Sequence, residues 1–171
     1  MNDLITSFQL NVSFIVQESI GYSREFLFEY PVVYLQDDLV IHRLGGNIEV
    51  SRTSEGLLAQ GKFQANHLTT CSRCLENFEQ VLSTEFAELF CFTKSKDTES
   101  ELILPENGEI DFGPIIRDYF MLEMDISPIC KTSCKGLCPI CGEKIVGESC
   151  VHNNEVLDSR FSILKSLLDE E

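Results

Sequence analysis

The stretch that decides the fold runs from residue 57 to residue 66 and reads Leu57-Leu-Ala-Gln-Gly-Lys-Phe-Gln-Ala-Asn66. Its odd-numbered positions are apolar or small, and from residue 60 onward its even-numbered positions are polar. A period of two is typical of a strand that packs one face against a core and leaves the other in water. This segment therefore predicts an antiparallel strand.

The neighbouring segments predict that the first hundred residues are rich in strands. The turn residues 52–56 would join the alternating strand to an earlier one around Ile48 and Val50. Residues 8–16 and 26–35 also have the composition of strands, and Pro31 predicts an edge position or a bulge in the second of these. Residues 78–92 predict a long strand.

Helical signals follow the strands. Residues 93–101 are polar and predict a mobile loop. Asp111 can then cap a helix with Pro114 in its first turn and apolar positions at Ile115, Ile116, Tyr119, Phe120 and Leu122. A second, amphipathic helix is predicted over 158–168.

We expect an α+β fold with an antiparallel, strand-rich N-terminal part (1–107). Residues 108–171 would supply one or two short helices and a zinc-binding, Cys-rich module, packed as one unit with 1–107.

Length and composition limit the class of protein. The 171 residues fit one domain, or one domain with a small module, and a hydrophobic fraction of 43% excludes wholesale disorder. No apolar run approaches the ~18–20 residues that span a bilayer, and the first residues do not resemble a secretory signal. We therefore expect a soluble, cytoplasmic protein that does not contact membranes.

The charge of the chain indicates what kind of partner it has. It carries 13 basic and 28 acidic side chains, a formal charge of -15. Such a surface repels the phosphate backbone, whose neutralisation by Lys and Arg supplies most non-specific affinity for nucleic acids. The charge favours a basic protein partner over bare RNA or DNA.

Seven of the eight cysteines fall in two clusters. Cys71 and Cys74 form one CxxC pair, and the second cluster comprises Cys130, Cys134, Cys138, Cys141 and Cys150. In a reducing compartment such clusters bind metal more often than they form disulfides. A CxxC turn directs two thiolates at one zinc ion, and Gly142 supplies the conformational freedom that such a turn often needs.

The predicted ligands can be assigned to zinc in two ways. With Cys91 set aside as a buried apolar residue, seven thiolates and His152 make eight ligands, enough for two tetrahedral zinc sites. The preferred arrangement pairs Cys71, Cys74, Cys130 and Cys134 in one site, and Cys138, Cys141, Cys150 and His152 in the other. The alternative is one zinc ion held by Cys71, Cys74, Cys138 and Cys141.

A site with four protein ligands leaves no coordination position for water or substrate, so either arrangement predicts a structural role for zinc. Arg73, Lys131, Lys135 and Lys144 lie among the ligands. They could offset the thiolate charge, or they could simply be solvated loop residues.

These motifs resemble those of the YceD family. The resemblance rests on Cys71-Ser-Arg-Cys74-Leu-Glu-x-Phe78, on Gly108-Glu-Ile-Asp111, on Cys130-x3-Cys134-Lys-Gly-Leu-Cys138-Pro-x-Cys141-Gly142, and on the terminal segment 158–167. It spans roughly residues 40–168. Family members commonly end the cluster with Cys-x-Cys, where this chain has Cys150-Val-His152. Histidine can also bind zinc, so the difference alters the second site without removing it.

The resemblance implies a ribosome-biogenesis factor, because the family is linked to the accumulation of large-subunit ribosomal RNA and to expression beside a large-subunit ribosomal protein. The leading hypothesis is a non-enzymatic factor that binds a basic ribosomal protein or a pre-ribosomal particle. The alternative is a zinc-thiolate redox sensor or another zinc-stabilised interaction module. An enzyme ranks third, because the chain has no recognisable catalytic motif.

Overall fold

The computed structural model describes residues 8–36, 39–93 and 102–146; residues 94–101 of the predicted loop and the predicted helix 158–168 lie outside them. The described elements, in chain order, are β1 (Gln9–Asn11), α1 (Ser13–Val16), β2 (Ser23–Leu35), β3 (Leu39–Arg52), β4 (Gly56–Thr70), β5 (Asn77–Cys91), β6 (Glu109–Asp111) and α2 (Gly113–Glu123). No helix within these ranges has the length and apolar character needed to cross a bilayer.

Four long strands form an antiparallel sheet in the order β2-β3-β4-β5, so each strand pairs with its neighbour in sequence. The alternating stretch lies within β4, as predicted. Leu57, Ala59, Phe63 and Ala65 are at most 2% exposed, whereas Gln60, Lys62 and Gln64 face water. The turn after Arg52 is also confirmed: the N–H of Thr53 donates to the carbonyl of Gly56 at 2.9 Å.

The two outer strands of the sheet match two predicted segments. β2 contains residues 26–35 and β5 contains nearly all of 78–92. β2 lies at the edge of the sheet, as the proline at position 31 predicted. Proline has no backbone N–H to donate to a neighbouring strand. An edge strand tolerates this because it has a neighbour on one side only.

The prediction of one strand over residues 8–16 is wrong. The strand is only β1, and α1 follows it immediately. The side chain of Asn11 accepts hydrogen bonds from the N–H and the hydroxyl of Ser13, at 3.1 and 2.6 Å. This local turn competes with the strand, and the helical turn places both Val12 and Ile15 in the core, fully buried.

α2 confirms the predicted helix but corrects two details. Its N-cap residue is Phe112; Asp111 lies in β6, where its Oδ1 accepts the N–H of Gly113 at 2.9 Å. Leu122 was expected on the apolar face and is instead 79% exposed. Ile116 and Phe120, four residues apart, define the buried stripe, and Leu122 lies about 200° around the helix from Phe120.

One hydrophobic core contains residues from both sides of position 107. β6 pairs with β1, and Ile110, Phe112, Ile116 and Phe120 join the sheet residues in a single buried cluster. A row of aromatic rings crosses this core from the residue before β1 to α2: Phe8, Phe28, Phe63, Phe86 and Tyr119, with successive centroids 5.3–6.3 Å apart. α2 therefore lies against the same sheet that carries the first CxxC pair.

Gly61 in β4 permits this aromatic packing. A Cβ at this position would lie 2.3 Å from the ring of Phe86, which is held between Phe63 and Tyr119. We expect Gly61→Ala to lower the free energy of unfolding by about 1–3 kcal/mol because an overpacked core must shift its side chains. Gly45→Ala in β3 is the matched control, since a Cβ there meets nothing within 4 Å. Chemical denaturation of both variants measures the difference, and equal losses would contradict the packing argument.

Candidate metal centre

The turn between β4 and β5 is the first CxxC pair. Thr70 and Asn77 form the last pair of the two strands, and residues 71–76 close the hairpin. The N–H of Cys71 donates to the carbonyl of Glu76 at 2.8 Å, and the N–H of Leu75 donates to the carbonyl of Cys71 at 3.0 Å. Leu75 has φ +58°, a left-handed conformation that branched or bulky side chains seldom adopt. The strands thus fix the turn that carries both thiols.

The chain returns to this turn after α2. The N–H of Ser72 donates to the carbonyl of Pro128 at 2.8 Å, and the hydroxyls of Ser127 and Ser72 are 2.9 Å apart. Further along, the guanidinium of Arg73 donates to the carbonyl of Cys134 at 3.0 Å. These contacts hold residues 127–134 along the outer end of the β4–β5 hairpin.

Four sulfur atoms meet as a result. The Sγ atoms of Cys71, Cys74, Cys130 and Cys134 all lie within 4.8 Å of one another. Two of the separations are 3.9 Å (Cys71 to Cys134) and 3.7 Å (Cys74 to Cys130). In a tetrahedral zinc site with Zn–S bonds of about 2.3 Å, neighbouring sulfurs are about 3.8 Å apart. The distances between the four sulfurs therefore fit tetrahedral coordination of one zinc ion.

The surroundings of the four thiols also fit a metal. Cys71, Cys74 and Cys134 are at most 4% exposed, and Phe78, Ile129 and Leu137 pack against them. None of the four is in a disulfide. Four ionised sulfurs this close would repel one another, and a divalent cation among them would remove that repulsion. The donor set is the all-thiolate type found in closed, structural zinc sites.

The thiols differ in acidity. Burial raises the pKa of Cys71, but backbone N–H groups of Cys130, Cys74 and Arg73 point at its sulfur and lower its pKa to about 6. Burial raises the pKa of Cys130 to about 12, and the adjacent thiols of Cys74 and Cys71 add to that effect. Cys71 therefore ionises more readily than Cys130.

Charged groups border the centre. The ammonium of Lys144 contacts the carboxylate of Glu76, and this contact raises the pKa of Lys144. Arg73 donates to the Cys134 carbonyl, as described above. Of the cations predicted to lie among the ligands, these two therefore make specific contacts around the first CxxC turn. Sequence alone gave no signal for the pairing of Lys144 with Glu76, because 68 residues separate them.

The comparison with protein families identifies the lineage of this chain. Residues 59–168 match the model described as Large ribosomal RNA subunit accumulation protein YceD. The chain belongs to the YceD family. The matched range begins in β4 and includes all four clustered cysteines together with the other four predicted ligands.

Individual YceD relatives are distant. An uncharacterized protein of Mycobacterium tuberculosis is 32% identical over 129 residues, which cover 73% of this chain and 62% of the relative. One from Mycobacterium leprae is 29% identical over 126 residues, covering 71% and 58%. The Arabidopsis thaliana protein named Large ribosomal RNA subunit accumulation protein YCED homolog 1, chloroplastic, is 36% identical over 154 residues, covering 72% and 48%. This chain thus spans about half to three fifths of these relatives' lengths. No solved structure matches it.

The predicted ligands fall into three groups in this YceD chain. Cys71, Cys74, Cys130 and Cys134 come together, in the pairing preferred from sequence. Cys138 and Cys141 form a separate turn, so the described residues do not place them with Cys71 and Cys74 as the one-zinc alternative requires. Cys150 and His152 lie outside the described residues. Cys91 is 3% exposed at the end of β5, in keeping with its interpretation as a small core residue.

Proposed function

We propose that this protein is a non-enzymatic, zinc-stabilised factor that supports accumulation of large-subunit ribosomal RNA by binding a basic ribosomal protein or a pre-ribosomal particle in the cytoplasm. Membership of the YceD family supports the ribosomal role, since that family is named for the process. The observation that carries the structural part is the four-thiol cluster, because a site filled by four protein ligands has a structural role.

In this proposal the zinc ion crosslinks distant parts of the chain. Cys74 and Cys130 are 56 residues apart in sequence, and their sulfurs lie 3.7 Å apart. The thiolates of Cys71, Cys74, Cys130 and Cys134 would hold the ion, which supplies a rigid link between the β4–β5 hairpin and the segment after α2. A link that closes so long a loop removes much of the conformational freedom of the unfolded chain. The result would be a fixed platform at one end of the sheet.

The exposed face of β2 and β3 carries Glu25, Glu29 and Glu49, and we call it the acidic face. Its charge supports a basic partner. Glu25 of β2 lies directly opposite Glu49 of β3, and both side chains are exposed on the face away from the core. Like charges placed opposite each other on paired strands are destabilising, so a cationic partner docked there would relieve the repulsion. Glu29 lies further along β2 and is also exposed.

A salt-dependent binding assay tests the partner. We expect the immobilised full chain to retain at least one basic large-subunit ribosomal protein, with an affinity that falls as ionic strength rises. The variant Glu25→Gln/Glu49→Gln should weaken this binding by about tenfold, since neutralising charges at an interface removes electrostatic attraction.

The control for that variant is Glu106→Gln/Glu123→Gln, which changes the net charge equally at exposed positions away from the acidic face. Equal losses for the two double variants would mean that only overall charge matters. Preference for bare ribosomal RNA over every basic ribosomal protein would contradict the partner half of the proposal.

The second candidate is a redox sensor in which oxidation ejects zinc. The clustering of four thiols supports it, but three of the four are at most 4% exposed and lie under apolar side chains, which hinders attack by an oxidant. Titration with hydrogen peroxide while following zinc release distinguishes the two. Release no faster than from an ordinary zinc knuckle would remove the sensor hypothesis.

A further inference from the structure

β2 is an open edge of the four-stranded sheet. It pairs with β3 on one side only, whereas β3 and β4 each have a neighbouring strand on both sides. Among the described residues, no backbone hydrogen bond joins residues 23–30 to any segment other than β3. Alternate N–H and C=O groups of an edge strand point away from its neighbour and can pair with an added strand. Residues 23–30 therefore offer a place for one more strand.

The opposite edge of the sheet, at β5, is partly covered. The N–H of Cys91 donates to the carbonyl of Leu102 at 3.0 Å, and the N–H of Leu104 donates to the carbonyl of Cys91 at 2.9 Å. Towards the other end of β5, the side-chain amide of Gln80 donates to the carboxylate of Asp125 at 2.9 Å. Addition of a strand is therefore expected at β2 rather than at β5.

The side chains on the outer face of this edge alternate between acidic and apolar. Glu25 and Glu29 flank Leu27, and all three are exposed. Leu27 is 79% exposed although it is a large apolar residue. Glu25 accepts a hydrogen bond from the side chain of Asn47 at 2.8 Å, but no cation in the described part of the chain forms an ion pair with either glutamate. An added strand would place one side chain beside each of the three, with Cβ atoms about 4.5–5.5 Å apart.

A groove lies at the same place. Its volume is about 760 Å³, and it is lined by residues 27–31 of β2 and 43–46 of β3. Gly45 leaves part of this space open, because a Cβ there would meet nothing within 4 Å. The cation in the lining, Arg43, is paired with Glu79 at 2.6 Å. Domains that bind peptides by strand addition use such pockets to select side chains of the bound segment.

A second copy of this chain fits the edge poorly. Two β2 strands paired antiparallel and centred on Leu27 would place Glu25 of each copy opposite Glu29 of the other. Like charges directly opposite each other destabilise a strand pair, and charged edge strands prevent self-pairing in this way. A strand with cations at those positions would instead form two pairs of opposite charge.

We propose that the β2 edge binds an extended, basic segment of the partner as a fifth strand of the sheet. The segment has Lys or Arg beside Glu25 and Glu29 and an apolar residue beside Leu27, which gives the pattern basic-x-apolar-x-basic. This edge site rests on the proposed function, because it specifies how the basic partner is bound. Backbone hydrogen bonds supply the affinity, and the alternating side chains select the segment.

The probe is the acetylated and amidated peptide Lys-Thr-Val-Thr-Lys-Thr-Val-Thr-Lys, which carries the pattern in either direction. Added to the full, zinc-loaded chain, it should slow amide exchange at every second residue within 23–30, because only alternate N–H groups of β2 point outward. Two further peptides carry N-methyl groups, one on its threonines and the other on its lysines and valines. One of them should bind at least about tenfold more weakly and the other nearly normally, since only one set of N–H groups faces β2.

Matched variants test the side chains of the edge. Leu27→Thr should weaken peptide binding by about fivefold because an apolar contact is lost, whereas Leu122→Thr changes an equally exposed leucine of α2 and should have no effect. Glu29→Gln should weaken binding by about two- to fivefold because an opposite-charge pair is lost. Glu106→Gln, the same change at an exposed residue outside the sheet, should leave it nearly unchanged.

Equal binding of the two N-methylated peptides would overturn the proposal, and so would a peptide that slows exchange at no residue within 23–30. Outward amides of β2 that are already protected in the free chain would overturn it as well, because the edge would then be covered. A chain that retains a basic ribosomal protein but does not add the peptide binds its partner elsewhere, which overturns the edge site alone. A chain that adds the peptide but retains no ribosomal protein supports the edge site and contradicts the ribosomal role.

Discussion

Replacing Cys134 with serine is expected to empty the four-thiol site. Serine is a poor ligand for zinc, and the three remaining thiols cannot close the tetrahedron. Binding of structural zinc contributes about 10–16 kcal/mol of apparent free energy in zinc-finger peptides, so its loss has a large local effect. We expect one zinc ion fewer per chain, together with faster amide exchange in residues 71–76 and 127–137.

The sheet should survive this substitution. The residues around the cluster form a small apolar group that is separate from the main core. We therefore expect amide protection in β3 and in the central part of β4 to stay nearly unchanged, because protection reports the stability of each local unit. Cys91→Ala is the matched control, since it removes a buried thiol outside the cluster and should leave the metal content unchanged. Unchanged protection of residues 127–137 in Cys134→Ser would contradict a structural role for the metal.

Truncating Phe120 to alanine is expected to lower the free energy of unfolding of the whole domain by about 3–5 kcal/mol, the usual cost of removing a fully buried phenylalanine. Phe120 is 0% exposed and lies in the core cluster that joins α2 to the sheet. Urea denaturation followed by circular dichroism measures the change, with the zinc content of each sample recorded.

Leu122→Ala is the control for that experiment. Leu122 lies on the same helix but is 79% exposed, so we expect a change within about 0.5 kcal/mol. Equal destabilisation by the two substitutions would mean that the buried stripe of α2 is assigned wrongly. A loss of zinc in Phe120→Ala while the sheet stays folded would instead link α2 directly to the metal centre.

The sheet could be predicted from sequence because its strands carry a one-sided apolar pattern. Leu57, Ala59, Phe63 and Ala65 repeat every two residues, and the core face of β4 follows that repeat. Residues 8–16 lack such a signal. There the side chain of Asn11 ends the strand through hydrogen bonds to Ser13, a local competition that composition does not reveal.

The candidate site was partly predictable for a different reason. Two cysteines at CxxC spacing lie in one tight turn and can bind the same ion, so both turns could be found from the sequence. Which turn pairs with which later cysteines depends on tertiary contacts, such as the bond from Ser72 to Pro128 and that from Arg73 to Cys134. The sequence therefore leaves two arrangements open, and the structure brings together the four cysteines of one site of the preferred arrangement.

The two CxxC turns contact each other, and these contacts hold residues 137–144 in place. Leu137 donates through its N–H to the carbonyl of Arg73 at 3.1 Å, so the Cys138–Cys141 turn lies against the first CxxC turn. The contact between Lys144 and Glu76 joins the same two turns. A metal held by the first turn would stabilise the second turn through these contacts, and effects of substitutions in the two turns should not be additive.

X-ray absorption at the zinc edge can show whether one zinc ion joins the four clustered thiols. The Cys141→Ser variant, purified without chelator, is the sample of choice because it retains the four-thiol cluster whether or not a second site exists. We expect about one zinc ion per chain, with four sulfur neighbours at about 2.3 Å. A folded protein with no stoichiometric metal, or a zinc ion with oxygen or nitrogen in place of two or more sulfurs, would contradict it.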